Sequence, residues 1–138
     1  MNRISWDELW IEMADLVSKR SADTKFKVGC VIVSDDNTRV LALGYNGDHK
    51  GGPNKRDSLE SGQSGFIHAE INALIKSDFA SYQNKKMYLT HSPCYMCSKA
   101  IINAGIKEVY YKNLYDEESV NFLRKHIFVL HRGSSKDE

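Results

Sequence analysis

The chain has 138 residues, 41% of them hydrophobic and 27% charged, with 19 Lys+Arg against 18 Asp+Glu. That length suits one domain, residues 1–138, with a substantial core, and the composition is that of a globular protein. A net charge of +1 argues against dependence on a polynucleotide backbone, and no apolar run is long enough to span a membrane, so neither is expected as a partner.

In chain order, Ser5 to Arg20 predicts a helix. Ser5 can cap it, with Glu8 completing a capping box, and Trp6, Leu9, Met13, Leu16 and Val17 form its apolar stripe. A polar, basic connection holding Lys25 and Lys27 leads to Val28–Val33, a β-branched run that reads as a buried strand. Asp35-Asp36-Asn37 is a turn, and Arg39–Gly44 a second strand antiparallel to the first. A glycine-rich stretch to about Gly65 follows, with Lys50, Lys55 and Arg56. A connection this long inside a compact domain is functional or disordered, and its glycines let backbone N–H groups converge on an anion. A helix is expected over 68–77, a strand over 86–90, a helix over 94–104 ending at Gly105, and a strand over 107–111. A helix over 117–126, a strand over 127–130 and a polar, loose tail from Gly133 complete the chain. A hairpin followed by strand–helix units gives one sheet with helices on both faces, and ligands of such sheets gather at strand ends and helix N-termini.

Two segments at predicted helix starts carry chemistry. His68-Ala69-Glu70 and Pro93-Cys94-Tyr95-Met96-Cys97 together match H-x-E and P-C-x-x-C. His68, Cys94 and Cys97 are three ligands for Zn²⁺, and three protein ligands leave a fourth position open, as catalytic zinc sites require. Water in that position supplies hydroxide near neutral pH. Glu70 can face the same water as a proton shuttle, which a structural zinc site would not need. Cys94 and Cys97 share a helix face, Pro93 suits the first helical turn, and the helix dipole favours the thiolate form. The third cysteine, Cys30, lies in an apolar run and reads as a buried core thiol. An odd cysteine count and the lack of a secretory apolar segment at the start imply a reducing compartment, the cytoplasm.

These motifs are the signature of zinc nucleobase deaminases. The chain resembles, over nearly its whole length, the small bacterial and bacteriophage deoxycytidylate (dCMP) deaminases of the cytidine deaminase-like superfamily. Besides the zinc residues, the likeness includes Ser18-Lys19-Arg20-Ser21 leading to Lys27-Val28-Gly29, Gly44-Tyr45-Asn46-Gly47, His68 through Leu74, and Ala104 through Val109. The resemblance implies an α/β, three-layer α/β/α fold around a five-stranded mixed sheet, and zinc-dependent hydrolysis of dCMP to dUMP and ammonia, feeding dTTP synthesis. It implies zinc on His68, Cys94 and Cys97, with Glu70 as the catalytic acid–base. The main-chain carbonyl of Ser92 would accept from the leaving amine, the N–H groups of Ala69 and Cys94 would hold the pyrimidine carbonyl, and Asn46 would meet the deoxyribose. Ser21, Lys25 and Tyr115 are the candidates for the 5′-phosphate.

The same resemblance makes 44–66 a regulatory loop, with an allosteric nucleotide site on Tyr45, Gly47, Lys50 and Gly52. There dCTP would activate and dTTP inhibit, with Mg²⁺ beside the triphosphate and Lys50, Lys55 and Arg56 countering its charge. Family members are commonly homohexamers, and a phage-encoded member would act in the host cytoplasm. The sequence departs from the family where Asp48-His49-Lys50-Gly51-Gly52 stands in place of x-Pro-x-Gly. No cysteine lies between Cys30 and Cys94, so a second zinc is not expected. Three other readings share parts of the motif. A tRNA adenosine deaminase does not explain the near-neutral charge or the Gly-Tyr-Asn-Gly loop. A free cytidine deaminase normally has Cys where His68 stands. An inactive zinc-stabilised binding module has no use for Glu70.

Overall fold

The computed structural model describes residues 2–78 and 84–133, so nearly all of the tail expected to be loose lies outside the described residues. Helix α1 spans Trp6–Ser18, β1 Gly29–Ser34, β2 Val40–Tyr45, α2 Ala69–Lys76 and β3 Lys85–His91. Helix α3 spans Tyr95–Asn103, β4 Ile106–Asn113, α4 Glu117–Arg124 and β5 Phe128–His131. The five strands form one sheet in the order β2-β1-β3-β4-β5. β1 runs antiparallel to both β2 and β3, while β3, β4 and β5 are parallel. Each parallel pair is joined through a helix, as parallel strands require.

Alternation along the strands divides the core in two. Cys30, Ile32, Met87, Leu89, Val109 and Tyr111 point to the face covered by α2, α3 and α4. Val31, Val33, Tyr88 and Tyr110 point to the face covered by α1. Both faces of the central strands are buried, which is why β1 reads as a continuous apolar run rather than an alternating one. The chain is thus the three-layer α/β/α architecture that the sequence implies. Cys30 is a fully buried free thiol, and all three cysteines are free.

Ser5 caps α1 by accepting from the Glu8 N–H at 3.1 Å. The expected stripe on α1 is partly out of phase. Trp10, Ile11 and Ala14 are buried, with Leu9, Met13 and Val17 packed beside them, whereas Trp6 and Leu16 are 55% and 64% exposed. Trp10 packs into the α1-side core, and its indole N–H donates to Asn37 Oδ1 at 2.9 Å in the β1–β2 turn.

One close approach sets the position of α2. A Cβ added at Gly44 would meet the Ala69 carbonyl oxygen at 2.3 Å and the Ala73 nitrogen at 2.6 Å, so the helix backbone lies directly on β2. Asn72 Nδ2 donates to the Tyr45 carbonyl at 2.9 Å and fixes the helix along the strand. The first turn of α2, with His68 and Glu70, is therefore held at the end of the sheet where β3 finishes and α3 starts.

Candidate active site

Two helix N-termini meet at the site. His68 is the N-cap of α2 and Cys94 the N-cap of α3, both in extended conformation. Pro93 therefore precedes the cap instead of lying in the first helical turn. Cys94 Sγ accepts from the Cys97 N–H at 3.4 Å, so the C-x-x-C spacing closes as an N-cap onto the third helical residue. His68 Nδ1 lies 3.2 Å from Cys97 Sγ and 3.6 Å from Cys94 Sγ. The three ligand atoms all lie within 4.8 Å of one another. Tetrahedral zinc, with Zn–S about 2.3 Å and Zn–N about 2.0 Å, puts ligand nitrogen and sulfur about 3.6 Å apart. The donor set and its spacing fit that ion.

The electrostatics are those of a shared-proton cluster. The hydrogen bond to Cys94 raises His68 above the usual imidazole value, against its burial. The hydrogen bond from Cys97, aided by His68 and the Cys97 N–H, pulls Cys94 down to about 4. Cys97 moves far in the opposite direction, first through its bond to Cys94 and then through burial. One thiolate is thus already favoured at the N-terminus of α3. Glu70 is 4% exposed, and burial pushes its carboxyl up to about 7 against the pull of its own N–H and of His68.

A cavity of about 270 Å³ opens onto this cluster. His68, Ala69, Glu70, Ser92 and Cys94 line it on the motif side, and Asn46, Lys25 and Tyr115, three further sequence candidates, line it elsewhere. Ala69 is the first residue of α2 and Cys94 the cap of α3, positions whose N–H groups have no partner within their own helix. Ser92 Oγ accepts from the Tyr115 N–H at 2.7 Å, so the residue preceding the zinc motif also anchors the turn that brings Tyr115 to the cavity. Asn46 is buried and works hard on the backbone: Oδ1 accepts from Val28 N at 2.8 Å and Nδ2 donates to the Phe26 carbonyl at 2.7 Å. Ser21 is not among the lining residues. It is buried, and its Oγ donates to the Asn46 carbonyl at 2.9 Å.

The ends of the long loop are clamped together beside His68 by two backbone hydrogen bonds between Gly47 and Ile67, at 3.1 and 2.8 Å. Of the allosteric candidates, Tyr45 has the Arg20 guanidinium 5.9 Å from its ring centre, Gly47 forms this clamp, Lys50 is exposed, and Gly52 abuts the Asp48 carboxylate. None of these four lines the cavity.

Sequence reasoning did not place Asp23, Phe26, Arg56 or His91 in the site, yet all four line the cavity. Arg56, grouped with Lys50 and Lys55 as a countercharge for a triphosphate, instead forms an ion pair with Asp23 at 2.6 Å in the cavity wall. Burial pushes the Asp23 carboxyl up, but the Lys25 N–H, the Arg56 guanidinium and the Phe26 N–H outweigh it and hold the group below its usual value. His91 and Phe26 also line the cavity, their rings 4.5 Å apart, and burial lowers the His91 pKa so that the ring favours its neutral form. His91 lies three residues before Cys94, and that proximity to the motif was the available signal.

Residues 4–113 match the family model described as the cytidine and deoxycytidylate deaminase zinc-binding region. The chain is 39% identical over 121 residues to ComE operon protein 2 of Bacillus subtilis, covering 83% of this chain and 63% of that protein. It is 34% identical over 126 residues to a deoxycytidylate deaminase of a Mycobacterium phage, covering 80% and 97%. The crystal structure of dCMP deaminase from the cyanophage S-TIM5 in complex with dCMP and dUMP superposes with a TM-score of 0.81 at 32% identity, over 96% of this chain and 100% of that one. The chain spans less than two thirds of the length of several curated relatives, 63% of the Bacillus protein and 43% of the Saccharomyces cerevisiae deoxycytidylate deaminase.

Proposed function

Since the chain belongs to the cytidine and deoxycytidylate deaminase family, we propose that it hydrolyses dCMP to dUMP and ammonia. The observation that carries this reading is a buried carboxylate, Glu70, set beside a His68–Cys94–Cys97 zinc-ligand cluster at the base of a cavity sized for one small ligand. Relatives named deoxycytidylate deaminase, and the superposed enzyme with dCMP and dUMP, support the choice of substrate.

Zinc bound by the three ligands supplies Lewis acidity that lets water act as nucleophile near neutral pH. Glu70 takes a proton from the attacking water as the C4–O bond forms, and delivers it to ring N3. Glu70 then takes the remaining proton from the new C4 hydroxyl and passes it to the exocyclic nitrogen, so that C4=O forms as the C4–N bond breaks and ammonia leaves. The Ser92 carbonyl accepts from the departing amine. The N–H groups of Ala69 and Cys94, each at a helix start, hold the pyrimidine carbonyl. Asn46 meets the deoxyribose, and Lys25 and Tyr115 meet the 5′-phosphate. Ser21 acts on that end of the substrate only through Asn46 and Asp23, to which it is hydrogen-bonded.

In this reading the product feeds dTTP synthesis, and the loop over 44–66 carries the control. dCTP activates and dTTP inhibits, each with Mg²⁺, at a site including Tyr45, Gly47, Lys50 and Gly52. Support comes from the Gly47–Ile67 clamp, which links the loop directly to His68. The working form is a homo-oligomer, a hexamer, in the cytoplasm, where three free thiols suit the reducing conditions. Incubation with dCMP, dCTP, deoxycytidine and a tRNA anticodon stem, followed for loss of the amine, tests the function. Preferential turnover of dCMP supports it, and turnover confined to the tRNA stem overturns it.

A further inference from the structure

We infer that Asp23 and Arg56 are positioning residues that latch the segment 56–64 as one wall of the catalytic cavity. The inference rests on the function proposed above and concerns how the substrate is held.

The latch is entirely polar. Arg56 Nη1 donates to both carboxylate oxygens of Asp23, at 2.8 and 2.6 Å, while Nε donates to the Ser58 carbonyl at 2.9 Å and Nη2 to the Glu60 carbonyl at 3.2 Å. One guanidinium thus gathers the turn and fastens it to a segment 33 residues away. The two side chains are 8% and 2% exposed, so the pair is desolvated. Asp23 also accepts from the Lys25 N–H at 2.8 Å and from Asn46 Nδ2 at 3.3 Å, which joins the latch to the floor of the cavity. Lys25 Nζ adds a second tie, to the Leu59 carbonyl at 2.6 Å.

The turn is preformed to receive that latch. The Asp57 N–H donates to the Ser64 carbonyl at 2.7 Å and closes its base. Gly65 adopts a φ of +79°, and a Cβ there would stand 1.9 Å from Asp57 Oδ2, so the closure needs glycine. Apolar packing does not hold it: no apolar side chain from 48 to 65 is buried, and Leu59 is 70% exposed. Yet Ser61, Gly62 and Ser64 line the cavity together with Arg56. A wall whose chief fastening to the rest of the molecule is this charge pair, with only the Lys25 tie beside it, loosens when the pair is broken, while the sheet and helices pack without it. Losing it should loosen the grip on substrate rather than the chemistry at Glu70.

The test is steady-state kinetics with dCMP for wild type, Asp23→Asn, Arg56→Gln and Arg56→Lys, alongside limited proteolysis at Glu60 by a glutamyl endopeptidase. Breaking a desolvated, hydrogen-bonded charge pair is expected to raise KM by about 10-fold or more, with kcat little changed in variants that melt lower but stay folded at the assay temperature. Cleavage at Glu60 should accelerate in the same variants, and Arg56→Lys, which keeps the charge but not the fork, should fall between wild type and Arg56→Gln. Unchanged KM and unchanged cleavage in a folded Arg56→Gln protein would overturn the latch, as would a loss confined to melting temperature. Because the proteolysis needs no turnover, faster cleavage in a wild-type background inactive on dCMP would uphold the latch while rejecting the proposed reaction.

Discussion

His68 and Cys94 are the N-caps of two different helices, and their ligand atoms approach to 3.6 Å. A metal site formed this way is built by the packing of α2 and α3 on the sheet rather than by a loop that the metal must order. The core beneath it, from Cys30 and Ile32 through Met87, Leu89 and Ile101, is a continuous apolar cluster.

Purified protein should accordingly carry about one zinc per chain, since three protein ligands and an open position make one catalytic site. Cys94→Ala and Cys97→Ala should each lose it, and a chelator should abolish activity while far-UV circular dichroism changes little. Full zinc content by elemental analysis in both variants would remove these cysteines from the site. Global unfolding on chelation would show that the metal, not the core, holds the helices.

Lys25 lines the cavity and is one of its few cationic groups not neutralised by a carboxylate, since Arg56 is paired with Asp23. Lys25→Ala should therefore raise KM for dCMP far more than for deoxycytidine, which lacks the phosphate. Equal impairment of the two would assign Lys25 to holding Leu59 rather than to meeting the phosphate.

The architecture and the clustering of His68, Cys94 and Cys97 were legible because both follow from local signals. A β-branched run, a capping Ser5 and glycine at a helix end each act over a few residues, and the observed strands and helices begin and end close to where those signals put them. The zinc residues lie in two short motifs of distinctive chemistry. The Asp23–Arg56 pair was not legible, because a buried ion pair spanning 33 residues looks, in sequence, like two solvated charges. The phase of α1 failed for a related reason: its inward side, Trp10, Ile11 and Ala14, is matched to distant partners, the Ala14 backbone lying on Gly29 and Trp10 bonding Asn37, 27 residues on.

The pairing of Asp23 also fixes a sign for acid stability. Its folded pKa is depressed, so its contribution is complete above the unfolded value of about 3.9 and is lost as pH falls through the lower folded value. Wild type should lose stability over that window more steeply than Asp23→Asn, and their denaturation midpoints should converge as pH drops. Parallel curves would show that Asp23 is not stabilised as the carboxylate.

If the loop over 44–66 senses nucleotides, dCTP should raise and dTTP lower dCMP turnover, both requiring Mg²⁺. Each effector must favour one conformation for any shift to occur. Lys50→Ala should blunt both effects, because Lys50 is exposed and outside the cavity. Tight triphosphate binding with unchanged kinetics would refute control through this loop. Inhibition by dTTP that dCMP fully overcomes would place the effector in the catalytic cavity.

The most direct measurement follows dCMP with zinc-loaded wild type and Glu70→Gln, quantifying dUMP, ammonia and zinc in the same samples. Glu70→Gln keeps the side chain's size but cannot carry a proton. The account predicts equal release of dUMP and ammonia by wild type, and a variant that retains zinc and fold while turnover falls by at least ~10²-fold, as for a general acid–base residue. Wild-type-like turnover by the zinc-loaded variant, or no dUMP from the wild type, would contradict it.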